Sequence, residues 1–275
     1  MSDTPLALVL PPEALDAARA RDGVVLVDVG SPESYVKQHL PGAVFLEYAW
    51  IVDRDPPRMG LLPPPEQLAR VLGALGITPE THVIAYDDEG GGRAARLLWT
   101  LDVIGHRRFS LLDGGLQAWA GEGRPLETAI HVPRPAHYPV PAVSGQGMAT
   151  REEILARLGD PGQVLLDARS EAEYTGRKVL AQRGGHIPGA VHYEWTRAMD
   201  RQRHLRLRPA EALRDELAAL GVTPDREVVT YCQTHHRSAL SYIVLKWLGF
   251  PRVKGYAGSW SDWGNAADTP VETGA

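Results

Sequence analysis

The chain repeats itself, and the repeat limits the fold more than any other feature. Val24-Val25-Leu26-Val27-Asp28 resembles Val164-Leu165-Leu166-Asp167, and His39-Leu40-Pro41-Gly42-Ala43-Val44 resembles His186-Ile187-Pro188-Gly189-Ala190-Val191. Leu75-Gly76-Ile77-Thr78-Pro79 is echoed by Leu220-Gly221-Val222-Thr223-Pro224, Val83-Ile84-Ala85-Tyr86 by Val228-Val229-Thr230-Tyr231, and Trp119 by Trp263. The order is the same in both halves, so one unit is present twice. A length of 275 residues gives each copy an ordinary domain size. Between them, His131-Val132-Pro133-Arg134-Pro135-Ala136-His137-Tyr138-Pro139-Val140-Pro141 has four prolines and no helical period. The expected division is a first domain at 1–130, a Pro-rich linker at 131–146 and a second domain at 147–275.

Short Val- and Ile-rich runs without polar alternation, such as 24–29 and 83–86, suit strands buried on both faces of a parallel sheet. Leu68–Leu75 and Ala212–Leu220 have helical spacing and stop at Gly76 and Gly221. Strands alternating with helices predict an α/β fold in each half, a mainly parallel sheet flanked by helices. Ligands of such sheets sit at the carboxyl ends of the strands.

Cys232, the one cysteine, stands at such an end. It follows Val228-Val229-Thr230-Tyr231 and opens Cys232-Gln233-Thr234-His235-His236-Arg237-Ser238, after which an apolar helical run begins. A thiol there meets loop N–H groups and the positive end of a helix dipole, with two His and an Arg nearby. All favour the thiolate, the reactive form. A buried inert thiol is the ordinary alternative, but charged neighbours suit it poorly. A single cysteine excludes an intramolecular disulfide, a Cys-rich zinc site and a two-cysteine redox centre.

A net charge of -5 argues against nucleic acid as a main partner, and no apolar stretch approaches the roughly 20 residues of a membrane span. The first residues lack a basic region and a long apolar run, so the expected location is cytoplasmic.

These residues carry a family resemblance. The chain resembles a tandem-domain rhodanese, of the thiosulfate and 3-mercaptopyruvate sulfurtransferase family. Tyr35-Val36-Lys37-Gln38-His39-Leu40-Pro41-Gly42-Ala43 is similar to the N-terminal signature of that family. Val253-Lys254-Gly255-Tyr256-Ala257-Gly258-Ser259-Trp260-Ser261-Asp262-Trp263 is similar to the C-terminal one, with Asp262 where Glu is usual. The resemblance implies two rhodanese-like domains, an inactive first and a catalytic second. The first half has Asp87 at the position of Cys232, within Asp87-Asp88-Glu89, and a carboxylate holds no persulfide.

A cysteine phosphatase or arsenate reductase is the competing enzyme class. Phosphatases place five residues between Cys and the phosphate-binding Arg; here four separate Cys232 from Arg237, and Ser238 follows. A loop this small suits one sulfur atom beyond Sγ. The expected chemistry is attack by Cys232 on an anionic donor, a persulfide intermediate held by loop N–H groups, and transfer to cyanide, a thiol or a protein. A non-catalytic sulfur carrier is the remaining class.

Cations should meet the donor anion. Arg169 and Arg177 match positions where the arginines of the family meet a sulfonate or carboxylate. Gln233, Thr234, His235, His236 and Arg237 form the binding loop, while Asp167 and Ser238 support it. Arg237 has two readings, inward to the anion or outward to a carboxylate. Adjacent His235 and His236 rarely aim at one ion, so no metal and no cofactor is expected. Many family loops have Gly at the position of His235. Trp260 and Trp263 read as packing, and Trp195 as a border of the entrance. The loop fits neither family pattern for donors, and its cationic character tilts toward thiosulfate over 3-mercaptopyruvate.

Overall fold

The computed structural model describes residues 5–274. Each half builds a five-stranded, all-parallel sheet. In the first, strands run across the sheet in the order Val9–Leu10, Phe109–Leu112, His82–Tyr86, Val24–Asp28, Val44–Phe45. In the second, Met148–Ala149, Val253–Tyr256, Glu227–Tyr231, Gln163–Asp167 and Val191–His192 follow the same order. The sequence repeat is therefore a repeat of topology. The central strands His82–Tyr86 and Val228–Tyr231 are buried throughout, which is why they read as unbroken apolar runs.

The helix stops fall where the glycines predict. Pro65–Ala74 ends before Gly76, and Ala210–Ala219 before Gly221, both glycines with φ of 75°. That left-handed conformation is one most side chains avoid. Each half has a core built around its Trp and Tyr: Tyr35, Tyr86 and Trp119 in the first, Tyr231, Tyr256, Trp260 and Trp263 in the second. Residues 131–144 carry no helix or strand. They follow the first unit, with Ala136 N–H donating to Gly73 O at 2.8 Å and Tyr138 buried beside His106. No helix among the described residues is long and apolar enough to cross a membrane.

The compact units are not simple halves. One comprises residues 1–51, 63–143 and 199–207; the other comprises 52–62, 144–198 and 208–275. Each takes in a short antiparallel hairpin from the opposite half of the sequence: Asp53–Asp55 with Arg58–Leu61 in the second unit, Met199–Asp200 with Arg206–Leu207 in the first. A single cut within 131–146 cannot express that exchange. The hairpins are short and largely polar, so neither the apolar pattern nor the repeat marks them.

Candidate active site

Cys232 is the first residue after the central strand Glu227–Tyr231, and helix Arg237–Trp247 starts five residues on. The loop between them is fixed from below. The Ser259 hydroxyl accepts the N–H groups of Cys232 (3.2 Å) and His235 (3.0 Å) and donates to Tyr256 O at 2.7 Å. Trp260 and Ser261 N–H donate to the carbonyls of Cys232 and Gln233. Thr230 Oγ1 donates to Ser238 O at 3.0 Å. His235 and Ser259 both have φ of 51°, a conformation L-residues seldom hold without surrounding support. His235 thus takes the backbone shape for which related loops use Gly. Its ring is buried, with Nδ1 2.8 Å from Ser238 Oγ.

The Cys232 thiol is buried completely. Burial alone would push its pKa up. The Arg237 charge, the Ser238 hydroxyl and N–H, and the Thr234 N–H more than offset this and lower it to about 7. Two of the loop N–H groups thus point at the sulfur, while those of Cys232 and His235 are spent on Ser259.

Arg237 resolves its two readings with one side chain. Its guanidinium forks onto Glu173 through bonds of 2.7 and 2.8 Å, and its charge still reaches the thiol. Burial pushes the Glu173 carboxyl up, but Arg237 and then Ser170 bring it down to about 2. Ser170 and Glu173 also form a capping box on helix Glu171–Tyr174.

The structure holds Arg169, expected at the donor anion, against the core. This side chain is 1% exposed and is held by Asp167 through Nε and Nη2 and by Gly185 O at 2.7 Å. It also stacks 4.4 Å from the Trp260 ring. Desolvating a guanidinium demands such partners, and they commit it to the core. Asp167, itself buried, accepts the Arg169 N–H at 2.9 Å and so buttresses the loop after its strand. Arg177 lies at the other extreme, 65% exposed and paired with Glu171 at 2.8 Å. Gln233 donates to Leu180 O at 3.1 Å, and the Trp195 and His236 rings lie 6.0 Å apart.

Three participants escaped sequence reasoning. Ser259 sits inside the C-terminal signature, but nothing in its spacing shows which N–H groups it holds. The sequence signal that could have found Glu173 is its place three positions after Ser170, the spacing of a capping box. The third is the hairpin at 53–61. Gly60 packs so closely on the loop that a Cβ there would lie 2.1 Å from Thr234 O, and Met59 N–H donates to Ser261 Oγ at 3.0 Å. Gly60, with φ of 81°, is required on both counts.

The equivalent loop of the first unit is closed by its own side chain. Asp87 is fully buried, and its carboxylate accepts N–H groups from Glu89 (3.0 Å), Gly91 (2.8 Å) and Ala94 (2.9 Å). The cradle that could face an anion already contains one. A hairpin packs here too: a Cβ on Gly90 would lie 2.4 Å from Met199 Sδ, and Leu207 N–H donates to Asp113 at 2.6 Å.

Elsewhere in the first unit, His39, Glu127 and His131 lie close enough to share an ion. Their bonding is internal. His39 Nδ1 and Nε2 face Tyr35 O and Ala129 O, and Glu127 bonds Gly42 N–H and His131. His186 and Glu272 repeat the core of this arrangement in the second unit.

The family described as Rhodanese-like domain matches twice, at residues 11–122 and 150–266. The chain belongs to the rhodanese family. Among curated relatives, thiosulfate sulfurtransferase of Azotobacter vinelandii is 51% identical over 268 residues, covering 97% of both chains. The enzyme of the same description from Pseudomonas aeruginosa is 48% identical, again over 97% of each. Among solved structures, the anaerobic ergothioneine biosynthesis enzyme from Chlorobium limicola superposes with a TM-score of 0.85 at 22% identity, over 98% of this chain and 70% of that one. That last likeness shows the fold alone. Family membership makes this a tandem rhodanese with sulfurtransferase relatives over nearly its full length.

Proposed function

We propose that this rhodanese moves the outer sulfur of thiosulfate to a thiophilic acceptor through a persulfide on Cys232. The observation that carries the reading is the Cys232 loop: a buried thiol with a pKa brought to about 7, facing N–H groups and the Arg237 charge. The Cys232 thiolate attacks the outer sulfur of thiosulfate. The S–S bond of the donor breaks, sulfite leaves with the electron pair, and Cys232 carries S–S⁻. Cyanide or a thiolate then attacks that outer sulfur and restores the Cys232 thiolate. The N–H groups of Thr234 and Ser238 stabilise the charge on sulfur in both steps.

Arg237 supports the thiolate and is held in place by Glu173. Arg169 and Asp167 act as positioning residues behind the loop. Arg177 is exposed, and its partners, Glu171 and the Thr175 hydroxyl, are local ones it can leave to turn toward a donor anion. Thr234, His236 and Gln233 line the rim. A reactive lone thiol suits a reducing compartment, so a cytoplasmic location accompanies this reading.

The test is parallel steady-state kinetics with thiosulfate and 3-mercaptopyruvate, cyanide serving as acceptor. The expected result is a higher kcat/KM for thiosulfate, with accumulation of a cyanide-labile mass of one sulfur on Cys232. A higher kcat/KM for 3-mercaptopyruvate overturns the choice of donor.

A further inference from the structure

The two units differ at one place beside the sulfur loop. Tyr35 and His39 stack at 3.9 Å with a 13° tilt; Tyr174 and His186 stack at 3.7 Å with a 6° tilt. In both pairs the histidine Nδ1 faces the tyrosine carbonyl, at 2.7 and 2.8 Å. Each histidine forms an isolated antiparallel bridge with a glutamate, His39 with Glu127 and His186 with Glu272. The positions therefore correspond. Three residues lie between the first pair and eleven, Thr175 to Gly185, between the second. The catalytic unit carries an insertion its inactive twin lacks.

This insertion is anchored, yet it exposes aliphatic surface. Arg183 donates to the carbonyls of Trp263, Ala266 and Thr269, and Gln182 N–H to Asn265 Oδ1 at 2.9 Å. Lys178 N–H donates to Ala172 O at 2.7 Å. Gln233, the residue after Cys232, donates to Leu180 O. Between these anchors Val179 and Leu180 stand 52% and 48% exposed. Single exposed aliphatics are ordinary, but two adjacent ones on a fixed segment touching a catalytic loop resemble the apolar centre of a contact patch. The charge is one-sided. Residues 175–185 contain Arg177, Lys178 and Arg183 and no acid, in a chain of net charge -5.

We propose that the insertion at 175–185 docks a protein sulfur acceptor whose thiol is flanked by aliphatic and acidic side chains. The inference rests on the persulfide reading of Cys232. Docked there, the acceptor thiol gives up its proton to solvent and its thiolate attacks the outer sulfur. The persulfide S–S bond breaks, Cys232 leaves as thiolate, and the acceptor becomes the persulfide. Val179 and Leu180 supply apolar contact. Lys178 steers the acidic partner and disfavours a basic one.

The test uses two synthetic peptides as probes, Glu-Leu-Cys-Leu-Glu and Lys-Leu-Cys-Leu-Lys. Protein loaded with thiosulfate and freed of excess donor is mixed with each, and loss of the sulfur from Cys232 is followed by mass. The acidic peptide should take the sulfur about tenfold faster at low salt, with the advantage shrinking as ionic strength rises. The double variant Lys178→Glu, Val179→Ser should lose that preference while thiosulfate:cyanide turnover stays within about twofold. Equal rates for the two peptides with wild type, or an unchanged preference in the variant, overturn the docking role. A parallel fall in cyanide turnover overturns it as well, by placing Lys178 and Val179 in the donor site. Failure to form any sulfur adduct on Cys232 is a separate result, and it refutes the persulfide reading instead.

Discussion

The loops at Cys232 and Asp87 occupy the same place in the same topology and do opposite things with it. Each follows the third strand of a five-stranded sheet, opens a helix, and receives a hairpin from the other half of the sequence. At Cys232 the N–H groups of Thr234 and Ser238 meet a sulfur that can extend outward by one atom. At Asp87 three N–H groups close on a carboxylate that is already complete. The comparison teaches that a cradle for anions is a property of the strand–loop–helix backbone. Reactivity depends on which side chain the cradle holds and on the cation beside it. Arg237 touches Glu173 and acts on the thiol; Arg93 pairs loosely with Asp88 and Glu89, at 3.6 and 3.8 Å.

The hardest way to break the comparison is to remove the sulfur. Cys232→Ser should abolish both the thiosulfate-derived mass adduct and turnover, leaving a folded protein with two inert loops. An adduct that persists in this variant sinks the assignment of Cys232.

Arg169→Ala comes next. It leaves the buried Asp167 carboxylate without its partner, and breaking such a pair costs about 3–5 kcal/mol. Chemical denaturation should show that loss in the second unit. A stable variant whose only defect is a raised KM for donor would restore direct contact between Arg169 and the donor.

Arg237→Gln has a smaller effect and tests the electrostatic half of the comparison. Glu173→Gln is combined with it so that no buried carboxylate is stranded. Loss of the guanidinium should raise the thiol pKa from about 7 by roughly one unit or more. Iodoacetamide alkylation against pH reads this directly, and turnover at pH 7 should fall about fivefold as the thiolate fraction drops. The stability consequence has a definite sign. A lowered thiol pKa stabilises the folded state at pH values above the unfolded thiol pKa, and that contribution fades as pH falls through about 7. The wild type should therefore gain stability between pH 7 and 9 and the variant should gain less. An unshifted alkylation profile would assign the activation to the loop N–H groups alone.

The fold was legible because both of its signals are local. Buried parallel strands leave unbroken Val and Ile runs, helices stop at left-handed glycines, and the duplication doubles each signal. Cys232 stood out in the sequence because two His and an Arg are poor neighbours for an inert thiol, and the structure sets it at the strand end beside the Arg237 charge. Arg169 shows where such reading stops. Its motif position places it near the site, but only the packing of Asp167, Gly185 and Trp260 around it decides whether the guanidinium faces ligand or core. Gly60 lay further out of reach. Its need for a bare α-carbon comes from Thr234, far along the chain, and no periodicity reports a long-range contact between a polar hairpin and a loop.

Asp87→Asn is the mildest test and the one aimed at the first unit. The carboxylate oxygens accept from Glu89, Gly91 and Ala94. An amide oxygen can replace Oδ1, which serves two of these, but the amide nitrogen then faces the Ala94 N–H, donor against donor. One buried N–H left without an acceptor costs about 1–3 kcal/mol, so the first unit should lose stability by that order. Turnover with thiosulfate should stay within a few-fold of wild type, because the thiol, Arg237 and Glu173 all belong to the other unit. Measured together, denaturation and kinetics separate the two roles: a stability loss without a catalytic one leaves Asp87 as an internal plug in an unreactive cradle. A thousandfold fall in turnover from a folded Asp87→Asn protein would instead bring the first unit into the chemistry.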